Sequence, residues 1–122
     1  VLTFSIDEKT LKQLALSLPE VKDLFIEPGR CITIKIEVDG KNAKIKIAPF
    51  VTTGKLELRI FKVFAEGINI NVASLVPLFL GKMKKTLSLE LRRIIDIEGN
   101  SIFVFVPVKF VGIDKTGLIL RF

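Results

Sequence analysis

The chain has 122 residues, 49% of them hydrophobic, and 19 lysines and arginines against 13 aspartates and glutamates give a net charge of +6. That length suits one domain, residues 1–122, with a core of its own. A single cysteine, Cys31, excludes an internal disulfide, and the absence of histidine excludes Ser–His and Cys–His nucleophile pairs and histidine-ligated metal sites.

From the N-terminus, Val1 to Ile6 alternates weakly and reads as a short edge strand. Ser5 or Asp7 opens a helix, since Ser5 followed by Glu8 matches a capping box. Leu11, Leu14, Ala15 and Leu18 form its expected buried stripe, and Pro19 marks its end. Residues 21–27 read as a short connection with an apolar centre at Leu24, Phe25 and Ile26, closed by the Pro28-Gly29 turn.

From Arg30 the period becomes two. Ile32, Ile34, Ile36 and Val38 point one way, Thr33, Lys35 and Glu37 the other. Asp39-Gly40 and Thr53-Gly54 are turns, with Ala43, Ile45 and Ile47 between them and Leu56, Leu58 and Ile60 after. The pattern is an antiparallel meander with one wet face. It breaks at Phe61, where either a bulge flips the register or the strand is covered on both faces.

Residues 73–87, ASLVPLFLGKMKKTL, form the central helix. Val76, Phe79, Leu80, Met83 and Leu87 make one stripe with Leu75 at its edge; Ser74 is the expected N-cap and Pro77 sits in the first turn. Leu78 points away from the stripe, toward Lys82 and Lys85, with Lys84 at the border. The helix is expected to reach about Leu91, which would add Leu89, Arg92 and Arg93 to that outer side. A strand at 94–98, the Gly99-Asn100 turn, a return strand at 102–111 that is apolar on both faces, and a last strand from Gly117 to Phe122 complete the reading. Pro107 implies a bulge or an edge in the return strand.

The positive balance favours anionic partners such as phospholipid headgroups or nucleic acid. Lys35, Lys44 and Lys46 make a basic ladder on one hairpin, but the phenylalanines fall within apolar patterns, so the ladder reads as a solvated face and nucleic acid is not expected as a partner. The acidic residues lie mainly at turns and on polar strand faces, which points to a non-enzymatic protein without cofactor or metal. The apolar excess, with a mean hydropathy of +0.49, calls for a core, an interface, a ligand cavity or a membrane surface to absorb it. No apolar run is long enough to span a bilayer. The chain opens on Val1 rather than Met, as expected of a fragment or a mature form that has lost a targeting segment.

The order of features resembles the small bacterial relatives of the tubular lipid-binding (TULIP-like) superfamily. The stretches that carry the resemblance are LTFSIDEKTLKQL, CITIKIEVDGKNAKIKIAPFVTTGKLEL, FAEGINI leading into VASLVPLFLGKMKK, IDIEGNSIFVFVP and GLILRF. It implies an α+β fold in which a strongly bent antiparallel sheet wraps around one long helix, with a second, shorter helix at the N-terminus. An apolar groove for acyl chains, no catalytic residues and a cell-envelope or other extracytoplasmic location also follow from it. The expected function is then non-enzymatic binding of a lipid or other hydrophobic ligand. Phe79, Met83, Phe103 and Phe105 are expected to line the groove with Leu75, and Phe61 and Phe64 to stand near its mouth. Leu78, Lys82, Lys84 and Lys85 are expected to face an anionic membrane. The alternative is an interaction module, a homodimer for example, that uses the surplus apolar surface.

Overall fold

The computed structural model describes residues 2–38, 40–65, 68–70 and 72–122, with the side chains of Val38, of residues 68–70 and 72–75, and of Phe79, Lys82 and Met83 outside that description. The described elements run β1 (Thr3–Asp7), α1 (Glu8–Leu16), β2 (Val21–Glu27), β3 (Cys31–Val38), β4 (Lys41–Thr52), β5 (Lys55–Ala65), β6 (Ile68–Ile70) and α2 (Val72–Thr86). A 3-10 turn at Leu91–Arg93 follows, then β7 (Ile95–Glu98), β8 (Ser101–Val104), β9 (Phe110–Ile113) and β10 (Gly117–Arg121).

Sheet dominates, which corrects the expected architecture. Among the described residues the two α-helices have 9 and 15 residues, and no long helix is wrapped by a bent sheet. The strands form two antiparallel sheets, a smaller one ordered β1-β10-β9 and a larger one ordered β2-β3-β4-β5-β8-β7. One edge of β5 pairs with β4, while the other is shared by β8, opposite Leu56–Arg59, and β6, opposite Val63–Ala65.

Strand β5 is the spine of the core. Leu56, Val108, Leu118 and Leu120 form one buried cluster, with Leu58 and Val104 against it. Ile60, Val63, Val76, Leu80 and Ile97 form the other, with Ile45, Ile47, Leu87 and Ile102 packed on it. The same face of β5 is therefore covered at one end by the smaller sheet and at the other by α2.

Two local features set this arrangement. Thr53 and Gly54 both take positive φ, 47° and 73°, the primed turn whose twist suits a tight hairpin between β4 and β5. Between Lys46 and Ile47 the β4–β5 register shifts: Lys46 faces Lys62 and Ile47 faces Ile60. Phe61 is thus the extra residue of a bulge, the first of its two sequence alternatives. The bulge moves the inward position from even to odd numbers, so Val63 stays in the core and Phe64 turns to the opposite face.

Several boundaries differ from expectation. Residues 21–27 are a strand, β2, and not a connection. Of the two expected openings of helix α1 it is Asp7 that caps it, its carboxylate accepting the Thr10 N–H at 2.8 Å, because Ser5 is already paired in β1 opposite Ile119. The helix stops at Leu16, and its expected stripe is not buried: Leu14 and Leu18 are exposed, Leu11 and Ala15 half-buried. Helix α2 begins at Val72, ahead of Ser74, so Pro77 stands in the second turn and its missing N–H removes one helical hydrogen bond. It ends at Thr86 rather than Leu91. The return strand is two strands in different sheets, β8 and β9, with Pro107 in the link.

Candidate functional site

Alternation along β2–β5 and β8 leaves the face opposite α2 open. Across it the register sets Phe25 beside Thr33, Thr33 beside Lys46, and Lys46 beside Lys62; one rung on, Lys35 faces Lys44 and Lys44 faces Phe64. Two pairs of like charges thus stand directly opposite each other, which weakens a sheet in the absence of a counter-charge. The phenylalanines on this face each carry a cation. Lys35 lies 5.7 Å from the Phe25 ring centre and Lys62 4.6 Å from Phe64. Arg59 lies 4.3 Å from Phe50, and Lys55 5.6 and 5.0 Å from Phe103 and Phe105.

Two carboxylates organise the polar layer. Glu27 accepts from the Cys31 thiol and the Thr33 hydroxyl, both at 2.9 Å, and from Lys46 at 3.0 Å. These three donors, the thiol's first, lower its pKa from 4.5 to about 2. Burial and the neighbouring carboxylate push the Cys31 thiol up, so it is a poor nucleophile at neutral pH. Glu57 accepts from Arg59 at 2.9 and 3.2 Å, from Thr52 at 2.7 Å and from the Ser101 hydroxyl, and its pKa too falls from 4.5 to about 2. Both groups are held ionised by fixed donors, so neither is tuned to exchange protons near pH 7.

Those contacts consume the carboxylates and leave the lysines in excess. Among the described residues, Lys22, Lys35, Lys44 and Lys62 have no carboxylate within salt-bridge distance. Lys22, Lys35, Lys44 and Lys46 line, with Phe25 and Phe64, a trough of about 850 Å³ on this face. Its wall mixes aromatic rings and cations, and its one carboxylate, Glu27, is already bonded to Lys46.

A second concavity lies where the C-terminal end of α2 meets β7. It measures about 340 Å³ and is lined by Lys84, Lys85, Leu87, Arg92 and Ile95, among others. Lys84 pairs with Asp96 at 3.0 Å, and that contact, ahead of the Ile97 backbone N–H, holds the Asp96 carboxyl below its ordinary range. Arg92 donates to the Lys84 carbonyl at 3.4 Å, satisfying a helix-end acceptor. The chain segments that supply this pocket also carry exposed aliphatic side chains outside its lining: Leu78 on α2 and Leu89 after it are 67% and 76% exposed, and Leu91 and Ile94 are exposed as well.

Of the expected ligand-lining residues, the four described ones stand in different surroundings. Phe64 lines the trough, Phe103 and Phe105 hold Lys55, and Phe61 is exposed at the bulge. Phe64 and Phe103 stand on the sheet face opposite the one α2 covers. The side chains of Leu75, Phe79 and Met83, like that of Lys82 among the membrane-facing set, lie outside the described residues. Leu78, Lys84 and Lys85 are all exposed. Sequence reasoning found the Lys35, Lys44 and Lys46 ladder but missed its aromatic partners. The signal for Phe25 was the alternation of Leu24 and Ile26 against Phe25 and Glu27; the bulge hid Phe64. Among the described residues no cluster of three or more metal-ligating side chains occurs, and no helix is long and apolar enough to cross a membrane.

Compared with protein-family models, with curated proteins and with solved structures, the chain has no match. Its geometry therefore defines a class only: a two-sheet domain with an open basic and aromatic face and an apolar, cation-rimmed end.

Proposed function

We propose that this domain is a non-enzymatic binder of anionic lipid that meets a membrane surface with the end of α2. The observation that carries the reading is the set Leu78, Leu89, Leu91 and Ile94, aliphatic side chains left in water on the same stretch of chain, from α2 to the start of β7, that supplies Lys84, Lys85 and Arg92 to a pocket. Exposing four large aliphatics is costly unless something apolar receives them. Flanking cations supply the attraction to anionic headgroups that such a face needs. The pocket has room for part of a headgroup, and Arg92 and Lys85 supply the donors that phosphate oxygens take. The reading keeps the ligand class of the tubular lipid-binding resemblance and moves the contact from a tunnel to the surface.

Co-sedimentation with vesicles tests it. Binding is expected with phosphatidylglycerol in the bilayer, not with phosphatidylcholine alone, and is expected to weaken with salt. Each cation near an anionic leaflet is worth about 1 kcal/mol, so Lys85→Gln with Arg92→Gln lowers partitioning roughly 30-fold. Leu78→Ser with Leu89→Ser lowers it independently of salt. Equal binding to both vesicle types, or indifference to both pairs of substitutions, refutes the proposal.

A second reading, contact with another protein or a second copy, is favoured by the N-terminal segment, in which Leu2, Phe4, Leu14, Leu16 and Leu18 are all exposed. A stable dimer by native mass spectrometry that dissociates on Leu14→Lys supports it; a monomer at all concentrations rejects self-association.

A further inference from the structure

We infer that the open face of the larger sheet binds single-stranded nucleic acid, with Lys35, Lys44 and Lys62 on phosphates and the rings of Phe25 and Phe64 as stacking platforms for bases. This site is separate from the α2 end and does not rest on the lipid reading. The absence of platforms was the reason to set nucleic acid aside from the sequence, and the register supplies them. Phe25 and Phe64 stand on the same face as the ladder, in the wall of the 850 Å³ trough.

Three features fit this occupant. Lys35 opposite Lys44 is an unfavourable like-charge rung with, among the described residues, no carboxylate in salt-bridge distance. A polyanion relieves it while also meeting Lys62, whose opposite neighbour Lys46 is already paired with Glu27. Lys62, opposite Lys46, is the diagonal neighbour of Lys44 across the β4–β5 ladder, about 7–8 Å away, close to the spacing of successive phosphates in an extended single strand. In the free protein each platform ring is occupied by a lysine, Lys35 over Phe25 and Lys62 over Phe64. A base that takes the ring face releases that ammonium to the neighbouring phosphate, so both contacts form by rotation of one side chain. A duplex hides its base faces and has no use for the rings. A membrane surface needs protruding aliphatic side chains, whereas Phe25 and Phe64 are half-buried within the trough.

The probe is a fluorescein-labelled, unstructured oligonucleotide of about 12 nucleotides, within the span of single-strand binding surfaces. Fluorescence anisotropy is read across a salt series for the wild-type protein, Lys35→Gln/Lys44→Gln, Phe64→Leu and Phe64→Tyr. Saturable binding is expected, with the slope of log K against log salt flatter by about 1.4 in the double lysine variant. Phe64→Leu is expected to weaken binding about tenfold, and Phe64→Tyr, which keeps the ring, to restore it. Lys85→Gln/Arg92→Gln, at the proposed lipid-binding end, is expected to leave oligonucleotide binding unchanged. Should Phe64→Leu not fold, the salt slope of the lysine variant decides alone, since Lys44 is exposed and Lys35 partly so. No binding at low salt, or a slope the lysine substitutions do not change, overturns the inference. So does loss of anionic-vesicle binding on Lys35→Gln/Lys44→Gln with no oligonucleotide bound, which gives this face to lipid.

Discussion

Acid should loosen this fold through Glu57. Its side chain is only 5% exposed, yet it carries a charge, held by the Arg59 guanidinium and the Thr52 and Ser101 hydroxyls. Arg59 is the largest cause of its low pKa, which falls from 4.5 to about 2 against the opposing effect of burial. Because the folded pKa lies below the unfolded one, the native state binds fewer protons. The stabilisation is complete above about pH 4.5 and is lost as pH falls through about 2. At about 1.4 kcal/mol per pH unit the interval corresponds to about 3 kcal/mol, a large share of the 5–15 kcal/mol that holds a typical domain together.

Glu57→Gln keeps the shape and removes the charge. Urea unfolding followed by far-ultraviolet circular dichroism, in a chain without tryptophan or tyrosine, is the assay. The variant is expected to lose on the order of 1–3 kcal/mol near neutral pH and to respond less to acid than the wild type. A residual acid response remains from Glu27, lowered to about 2 by Cys31, Lys46 and Thr33. That part is smaller in energy because the Glu27 side chain is 27% exposed and water screens it. A variant as stable as wild type near neutrality, with an unchanged acid response, refutes the reasoning.

Three further outcomes follow from burial and backbone. Leu80, 1% exposed between α2 and β5, should cost about 2–5 kcal/mol when changed to alanine, read as a lower urea midpoint at constant slope. Gly117 has a φ of +153°, and a Cβ there would collide with the Ile6 carbonyl oxygen. Gly117→Ala should therefore detach β1 from β10, seen as fast amide exchange at Ser5 and Asp7 while β3–β5 stay protected. Cys31, buried with its thiol pushed up in pKa, should react with iodoacetamide only on unfolding; Glu27→Gln, which removes the neighbouring carboxylate charge, should not make it fast in the folded state, because burial remains.

The strands that alternate cleanly were legible: β3, β4 and the first half of β5 each show an apolar and a polar column, and the Thr53-Gly54 turn joins two of them. Strand β2 was not, because three consecutive apolar residues, Leu24, Phe25 and Ile26, look alike until Leu24 and Ile26 find Ile34 and Ile32 across the ladder. The basic half of the candidate site was visible in Lys35, Lys44 and Lys46. The aromatic half was not, since Phe64 reaches their face only through the single extra residue of the bulge.

What the sequence alone determined is what depends on neighbours a few residues away: the period of two, the turns, the outward place of Leu78 on α2, the charge excess and the absence of histidine chemistry. Tertiary structure decided the rest. Pairing β1 with β10, at opposite ends of the chain, and sending β9 to a different sheet from β8 depend on long-range closure and on which apolar columns meet. The helix expected to be embraced by a sheet became a 15-residue cover over half of one face, because the smaller sheet, with Leu118 and Leu120, took the other half. Local periodicity says which face of an element is apolar; only the assembled chain says what covers it, since burial free energy depends on the area removed from water and not on the partner that removes it.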